Sequence, residues 1–173
     1  MAQVVFLRGA NVGGRRKFQP RLLAARLSHL GVTSVGAAGT FVVRGSIGQA
    51  ALRAEILEKL PFETEVLICP ARELLKLARP DPFGRGAAPK GARRFVSVMD
   101  KPLREPPGLP LLKPAGPKWE VQVVALRGRF VLSLWRRLGR AILYPNGVVE
   151  TCLDVRATTR GWDTVLKILD LLS

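Results

Sequence analysis

The chain is short of acidic residues, cysteine and histidine, and it has no long apolar run. Asp and Glu number 13 against 28 Lys and Arg. With only Cys69 and Cys152, a disulfide framework is ruled out and export is not indicated. His29 is the one histidine, so a histidine-based triad would have to use it, and a zinc site is not expected. No apolar stretch approaches the ~18–20 residues needed to span a bilayer. Arg8 and Gly9 interrupt the N-terminal apolar run too early for a secretory leader. These absences point to a cytoplasmic protein with no metal, no cofactor and no membrane partner.

What is present is positive charge on a chain able to fold. Hydrophobic residues make up 47% of 173, enough to bury a core. The formal charge of +15 attracts polyanions, with an affinity that falls as salt rises. Codon usage in a GC-rich genome inflates Arg, Ala, Gly and Pro together. It does not explain the shortage of acids, whose codons are also GC-rich.

The segment Phe6-Leu7-Arg8-Gly9-Ala10-Asn11-Val12-Gly13-Gly14 leads into Arg15-Arg16-Lys17. An apolar strand pattern stops at a loop of small residues, and a helical pattern follows from Pro20. Glycines let the backbone turn its N–H groups toward an anion, and the cations add potential. Gly9 and Gly14 have the outer spacing of a phosphate-binding GxxxxGK[ST] loop. Arg15 and Arg16 occupy the Lys and Ser/Thr positions, so no hydroxyl is placed for magnesium and a nucleotide triphosphatase is not expected. A tight, ordered loop is.

Along the chain, residues 1–78 read as strand, helix, strand, strand, helix, strand. The strands fall at Gln3–Arg8, Ser34–Ala37, Phe41–Arg44 and Glu65–Cys69. The first helix starts at Pro20 and stops at Gly31; the second opens on a Ser46/Gln49 capping box and ends at Pro61. This βαββαβ order predicts a ferredoxin-like α+β half, with an antiparallel sheet and both helices on one face. A short helix follows Pro70. Residues 79–92 are a Pro/Gly-rich connection.

Residues 93–173 read as a second, smaller antiparallel α+β half. Its strands are Phe95–Met99, Trp119–Leu126, Phe130–Arg136 and Ala141–Tyr144, with Pro102–Pro117 as an extended surface segment. Two C-terminal helices, Asn146–Leu153 and Gly161–Leu172, close it. Val165, Ile168, Leu169 and Leu172 give the last one an apolar face. Thr158 or Thr159 is placed to cap that helix, where Arg160 and free N–H groups could hold an anion. Trp162 is expected to be mostly buried where the helix meets the second sheet.

Two motifs carry a family resemblance. Leu7-Arg8-Gly9-Ala10-Asn11-Val12-Gly13-Gly14 resembles the N-terminal LRGINVGG signature of the bacterial domain of unknown function 1697 family. Thr158-Thr159-Arg160-Gly161-Trp162-Asp163-Thr164-Val165 resembles its C-terminal TxRNWxTV box. The resemblance implies two α+β halves, the first ferredoxin-like, and no established activity. The chain departs from the family pattern in having Ala38-Gly39-Thr40 where SGN is typical, and Gly161 where the tryptophan box has asparagine.

The candidate ligand residues are Arg8, Asn11, Gly13, Gly14, Arg15, Thr159 and Arg160, and a single cleft holding both Arg8 and Arg160 would unite the two motifs. An RNA-stacking sheet would need exposed aromatics, but only Phe6 and Phe41 stand on the relevant strands, and buried core is the favoured reading for both. Glu120, Glu150, Asp154 and Asp163 could act as bases, yet nothing pairs them with a nucleophile, so no catalytic residue is assigned. The leading reading is a binding protein for a phosphate-bearing ligand or nucleic acid. The alternatives are a small enzyme acting on a phosphorylated or carboxylated metabolite, and a protein-interaction module whose motifs are structural. The sequence does not fix the oligomeric state.

Overall fold

A computed structural model describes residues 1–10, 14, 17–84, 86, 88–140 and 143–173. The chain divides into two compact units, Met1–Lys76 with Leu166–Ser173, and Leu77–Val165.

In the first unit, β1 (Gln3–Leu7) is followed by α1 (Pro20–Arg26), a 3-10 turn at Ser28–Leu30, β2 (Val32–Val35), β3 (Thr40–Val43), α2 (Gln49–Lys59) and β4 (Val66–Pro70). The expected βαββαβ order is present. The sheet order is β2-β3-β1-β4, and each neighbouring pair is antiparallel. Strand side chains alternate between faces, so Val5 and Leu7, Phe41 and Val43, and Val66 and Ile68 share one side. Leu23 and Leu27 from α1 and its end, with Leu52 and Ile56 from α2, cover that side. Burying each such side chain contributes about 1.5–3 kcal/mol. Val4, Phe6, Val42 and Cys69 on the other side are buried too, which is why β1 reads as an unbroken apolar run. α3 (Ala71–Leu77) follows β4 directly.

Pro20 occupies the first turn of α1, where its missing N–H costs no helical bond. The capping box at Ser46 is not formed. α2 begins at Gln49 behind Gly48, with no side-chain cap. The reason is tertiary: Ile47 packs against the core, and its carbonyl accepts a 2.7 Å bond from Gln3 Nε2. That holds the segment extended for two residues longer than the local pattern suggests.

The second unit contains β5 (Arg93–Met99), β6 (Leu111–Lys113), β7 (Val121–Arg127), β8 (Phe130–Trp135), α4 (Pro145–Leu153) and β9 (Ala157–Gly161), and α5 (Trp162–Leu172) starts in it. Its sheet is antiparallel, in the order β6-β7-β8-β5-β9. Met99, Val123, Val131 and Ala157 meet Val149 and Leu153 of α4. With five strands against four, this is not the smaller half expected from sequence.

Three further expectations change here. The proline-rich segment contains β6, an edge strand flanked by Pro110 and Pro114, where a missing N–H is tolerated. Of the proposed strand Ala141–Tyr144, Ala141 and Ile142 lie outside the described residues, while Leu143 and Tyr144 are not in a strand and Tyr144 precedes α4. The C-terminal tail is divided at Val165 instead of belonging wholly to the second half. Within the first unit, an Arg44 guanidinium N–H donates to the Leu171 carbonyl at 2.9 Å. Among the described residues, no helix is long and apolar enough to cross a membrane.

Candidate functional site

The end of β1 is fixed from both sides. The Leu7 N–H donates to the Gly39 carbonyl at 2.8 Å, and the Arg8 N–H to the Glu65 carbonyl at 3.0 Å. The Thr64 hydroxyl donates to the Arg8 carbonyl. Gly39 has φ +82°, and a Cβ there would lie 2.8 Å from Leu7 Cβ, so only glycine fits. The Ala38-Gly39-Thr40 segment therefore abuts the start of the glycine loop from one edge, and Thr64 and Glu65 hold it from the other.

The Arg8 side chain is 34% exposed, and its guanidinium stands 3.8 Å from the Glu65 carboxylate. At that distance and exposure the pair is worth about 1 kcal/mol or less. Gly9 and Gly14 both take positive φ, 67° and 73°. Lys17 passes over Gly14, its Cε 3.7 Å from where a Cβ would sit. Asn11, Val12, Gly13, Arg15 and Arg16 lie outside the described residues. The expectations placed on them, including the ordered loop, have no structural counterpart here. Lys17, Arg21 and Arg26 are exposed. The first acidic residue of the whole chain is Glu55, so this loop and α1 contribute cations without counter-charges of their own.

Thr158, Thr159 and Arg160 stand differently. They form β9, with Val96 opposite Arg160 and Ser97 opposite Thr159, and α5 starts only at Trp162. Neither threonine is the residue before the helix, which corrects the cap expected from sequence. Arg160 is 7% exposed. Its Nη1 donates to Thr158 Oγ1 at 2.7 Å and to the Thr159 carbonyl at 2.9 Å. Burial pulls its pKa down to about 10, which still leaves it charged at neutral pH. Thr159 Oγ1 donates to Asn146 Oδ1 at 2.9 Å, so the 2.6 Å contact with Ser97 must have the serine as donor. Arg8 belongs to the first unit and Arg160 to the second.

The other candidates resolve into structural roles. Trp162 is half-buried and meets Phe83 edge-on at 5.2 Å. Glu120 accepts the Leu138 N–H at 3.1 Å, and Glu150 the Ala157 N–H at 2.9 Å. Asp154 follows α4 in the left-handed region, and Asp163 is exposed. His29 is on the surface, 3.1 Å from Glu55. Phe6 and Phe41 are buried, so neither is displayed for stacking. Among the described residues no cluster of three His, Cys, Asp or Glu could hold a metal.

Sequence reasoning missed a groove of about 550 Å3 beside α1, lined by Phe18, Gln19, Leu22, Arg26, Lys59 and Leu60 among others. The available signal was Leu22, next to the core residue Leu23 and itself 54% exposed.

The sequence model of a family described as "Protein of unknown function (DUF1697)" matches residues 1–129. That span includes the glycine loop and stops short of the Thr158–Val165 box. The solved structure of the conserved bacterial protein SP0830 from Streptococcus pneumoniae is similar in fold. It is 17% identical, with 99% of this chain and 98% of that one covered and a TM-score of 0.58. No protein with a curated description matches the sequence.

Proposed function

The chain belongs to the DUF1697 family of proteins of unknown function, and on that premise we propose that it binds a phosphate-bearing ligand, with nucleic acid as the favoured form. The observation that carries this reading is the uninterrupted run of cations before Glu55. Arg8 at the loop entrance is one-third exposed, and Lys17, Arg21 and Arg26 beyond it face solvent. Positive φ at Gly9 and Gly14 supports a backbone able to turn N–H groups outward. Asn11, Gly13 and Arg15 remain part of the proposal as loop residues. Thr159 and Arg160 are left out of it, because their polar groups bond within the second unit, to Asn146 of α4 and to β9 itself. A cytoplasmic location fits such a ligand and fits two cysteines that are not joined in a disulfide.

The test is fluorescence anisotropy with a labelled single-stranded oligonucleotide over a range of salt. Each phosphate contact should contribute about −0.7 to the log–log slope. Replacing Lys17, Arg21 and Arg26 together by Glu should abolish binding near physiological salt while leaving the far-UV circular dichroism unchanged. Absence of binding by the parent at low salt would sink the proposal.

A further inference from the structure

The acid-free segment before Glu55 supplies Phe18, Gln19, Leu22 and Arg26 to the groove beside α1, whose lining also holds one carboxylate, Glu58. The phosphate-binding reading alone gives that groove no task. Its volume of about 550 Å3 is within the ~300–1,000 Å3 of small-molecule sites. Phe18 supplies an aromatic wall. The ring of Phe62 braces it near-perpendicularly at 5.7 Å, and Phe41 lies behind at 6.5 Å, so its position is set by packing. Leu22 forms a lip in water, whereas its neighbours Leu23 and Ala24 fill the core. Gln19 is exposed, and its side chain makes no cap bond to α1, so a carboxamide donor and acceptor stand at the rim. Arg26 lines the same rim. Lys59 is there as well, 3.9 Å from the Glu58 carboxylate, at the limit of ion pairing.

An aromatic and aliphatic wall, one amide, and the cations Arg26 and Lys59 against the single carboxylate of Glu58 match the chemistry of an unpaired nucleobase followed by its phosphates. We propose that this groove takes a base of single-stranded nucleic acid while the phosphates run over Lys17, Arg21 and Arg26. The proposal rests on the polyanion-binding reading and adds the means of distinguishing single strands from duplex. In a duplex the base faces are stacked on their neighbours and cannot enter. Every base has a π-face, so binding should tolerate sequence.

The experiment compares three labelled ligands of about 12 nucleotides, a length within the range of single-strand sites. They are an intact single strand, an abasic strand with the same phosphates, and a duplex of the same sequence. The intact strand should bind about tenfold more tightly than the abasic strand, in the range one stacked base supplies. Leu22→Asn changes no charge and alters an exposed position. It should bring the intact strand to the abasic level and leave the abasic affinity where it was. Equal affinity for intact and abasic strands, or no response to Leu22→Asn, would overturn the groove assignment and leave the basic surface standing. Failure of the parent to bind any of the three at low salt would overturn both readings. Chemical shifts of Gln19 and Leu22 amides on titration with the intact strand give a second measurement, and their constancy at saturation would also refute the assignment.

Discussion

Two segments of this chain set an arginine among small and hydroxyl residues, and they end in opposite environments. Arg8 follows β1, with its guanidinium one-third exposed and loosely paired to Glu65. Arg160 is inside β9, buried and bonded to Thr158 and Thr159. What separates them is where the backbone bonds go. Pairing with β5 commits the β9 backbone to a sheet ladder, so its N–H groups are not a cradle. Beyond Arg8 the chain leaves the sheet, and two glycines take left-handed conformations that no ladder uses. An arginine beside small residues is therefore a ligand candidate only when the strand register leaves it outside the sheet.

That contrast predicts where substitutions act. The largest effect should be Arg160→Ala, which removes a buried side chain together with two charge-assisted bonds. A loss of roughly 3–5 kcal/mol is expected from the cavity and the lost bonds. All three tryptophans, Trp119, Trp135 and Trp162, belong to the second unit, so its denaturant midpoint can be followed by their fluorescence. An unchanged midpoint would mean that Arg160 is no structural element, and the contrast would collapse. Next comes Gly39→Ala in the first unit. Its Cβ would overlap Leu7 at 2.8 Å and its φ is +82°, so about 2–4 kcal/mol should be lost. Circular dichroism during denaturation reads this, and a neutral result would disprove the close approach that seats the loop.

Much of the first unit was legible because its signals are local. Val4 to Leu7 form an apolar run, Pro20 opens α1 and Gly31 closes the 3-10 turn after it, and Leu52 and Ile56 recur at helical spacing. The misreadings have long-range causes. The Gln3–Ile47 bond that delays α2 joins residues 44 apart in sequence. Thr158-Thr159 before a helical pattern resembles a cap, and only pairing with Val96 and Ser97 makes it a strand. Trp162 finds its partner Phe83 in the segment that sequence marks as a mere connection. The site was half legible: Arg8 and its glycines stood out, but the groove joins α1 to the end of α2, and no local pattern links Leu22 with Leu60.

A smaller effect should follow from Thr159→Val, which keeps the shape and β-branching and deletes the hydroxyl. Asn146 Oδ1 then loses its donor and Ser97 Oγ its acceptor. A destabilisation of about 1–3 kcal/mol is expected, again read by tryptophan fluorescence. Oligonucleotide binding at a temperature where the variant is folded should match the parent. Weaker binding there would return Thr159 to the list of ligand residues.

The smallest effect on stability, and the sharpest test of the comparison, is Arg8→Ala. The guanidinium is one-third exposed and stands 3.8 Å from a carboxylate that is itself one-third exposed, so about 1 kcal/mol or less should be lost. The backbone bonds to Glu65 and Thr64 do not depend on the side chain, and the loop entrance should keep its course. Binding should respond where stability does not. Removing one phosphate contact lowers affinity several-fold and makes the salt slope shallower by about 0.7. Glu65→Gln should do the reverse, since it removes a carboxylate that competes with a phosphate for Arg8. Anisotropy titrations at three salt concentrations measure both variants. If Arg8→Ala destabilised the protein as much as Arg160→Ala and left the salt slope unchanged, the two arginines would be alike. The loop would then be as structural as β9.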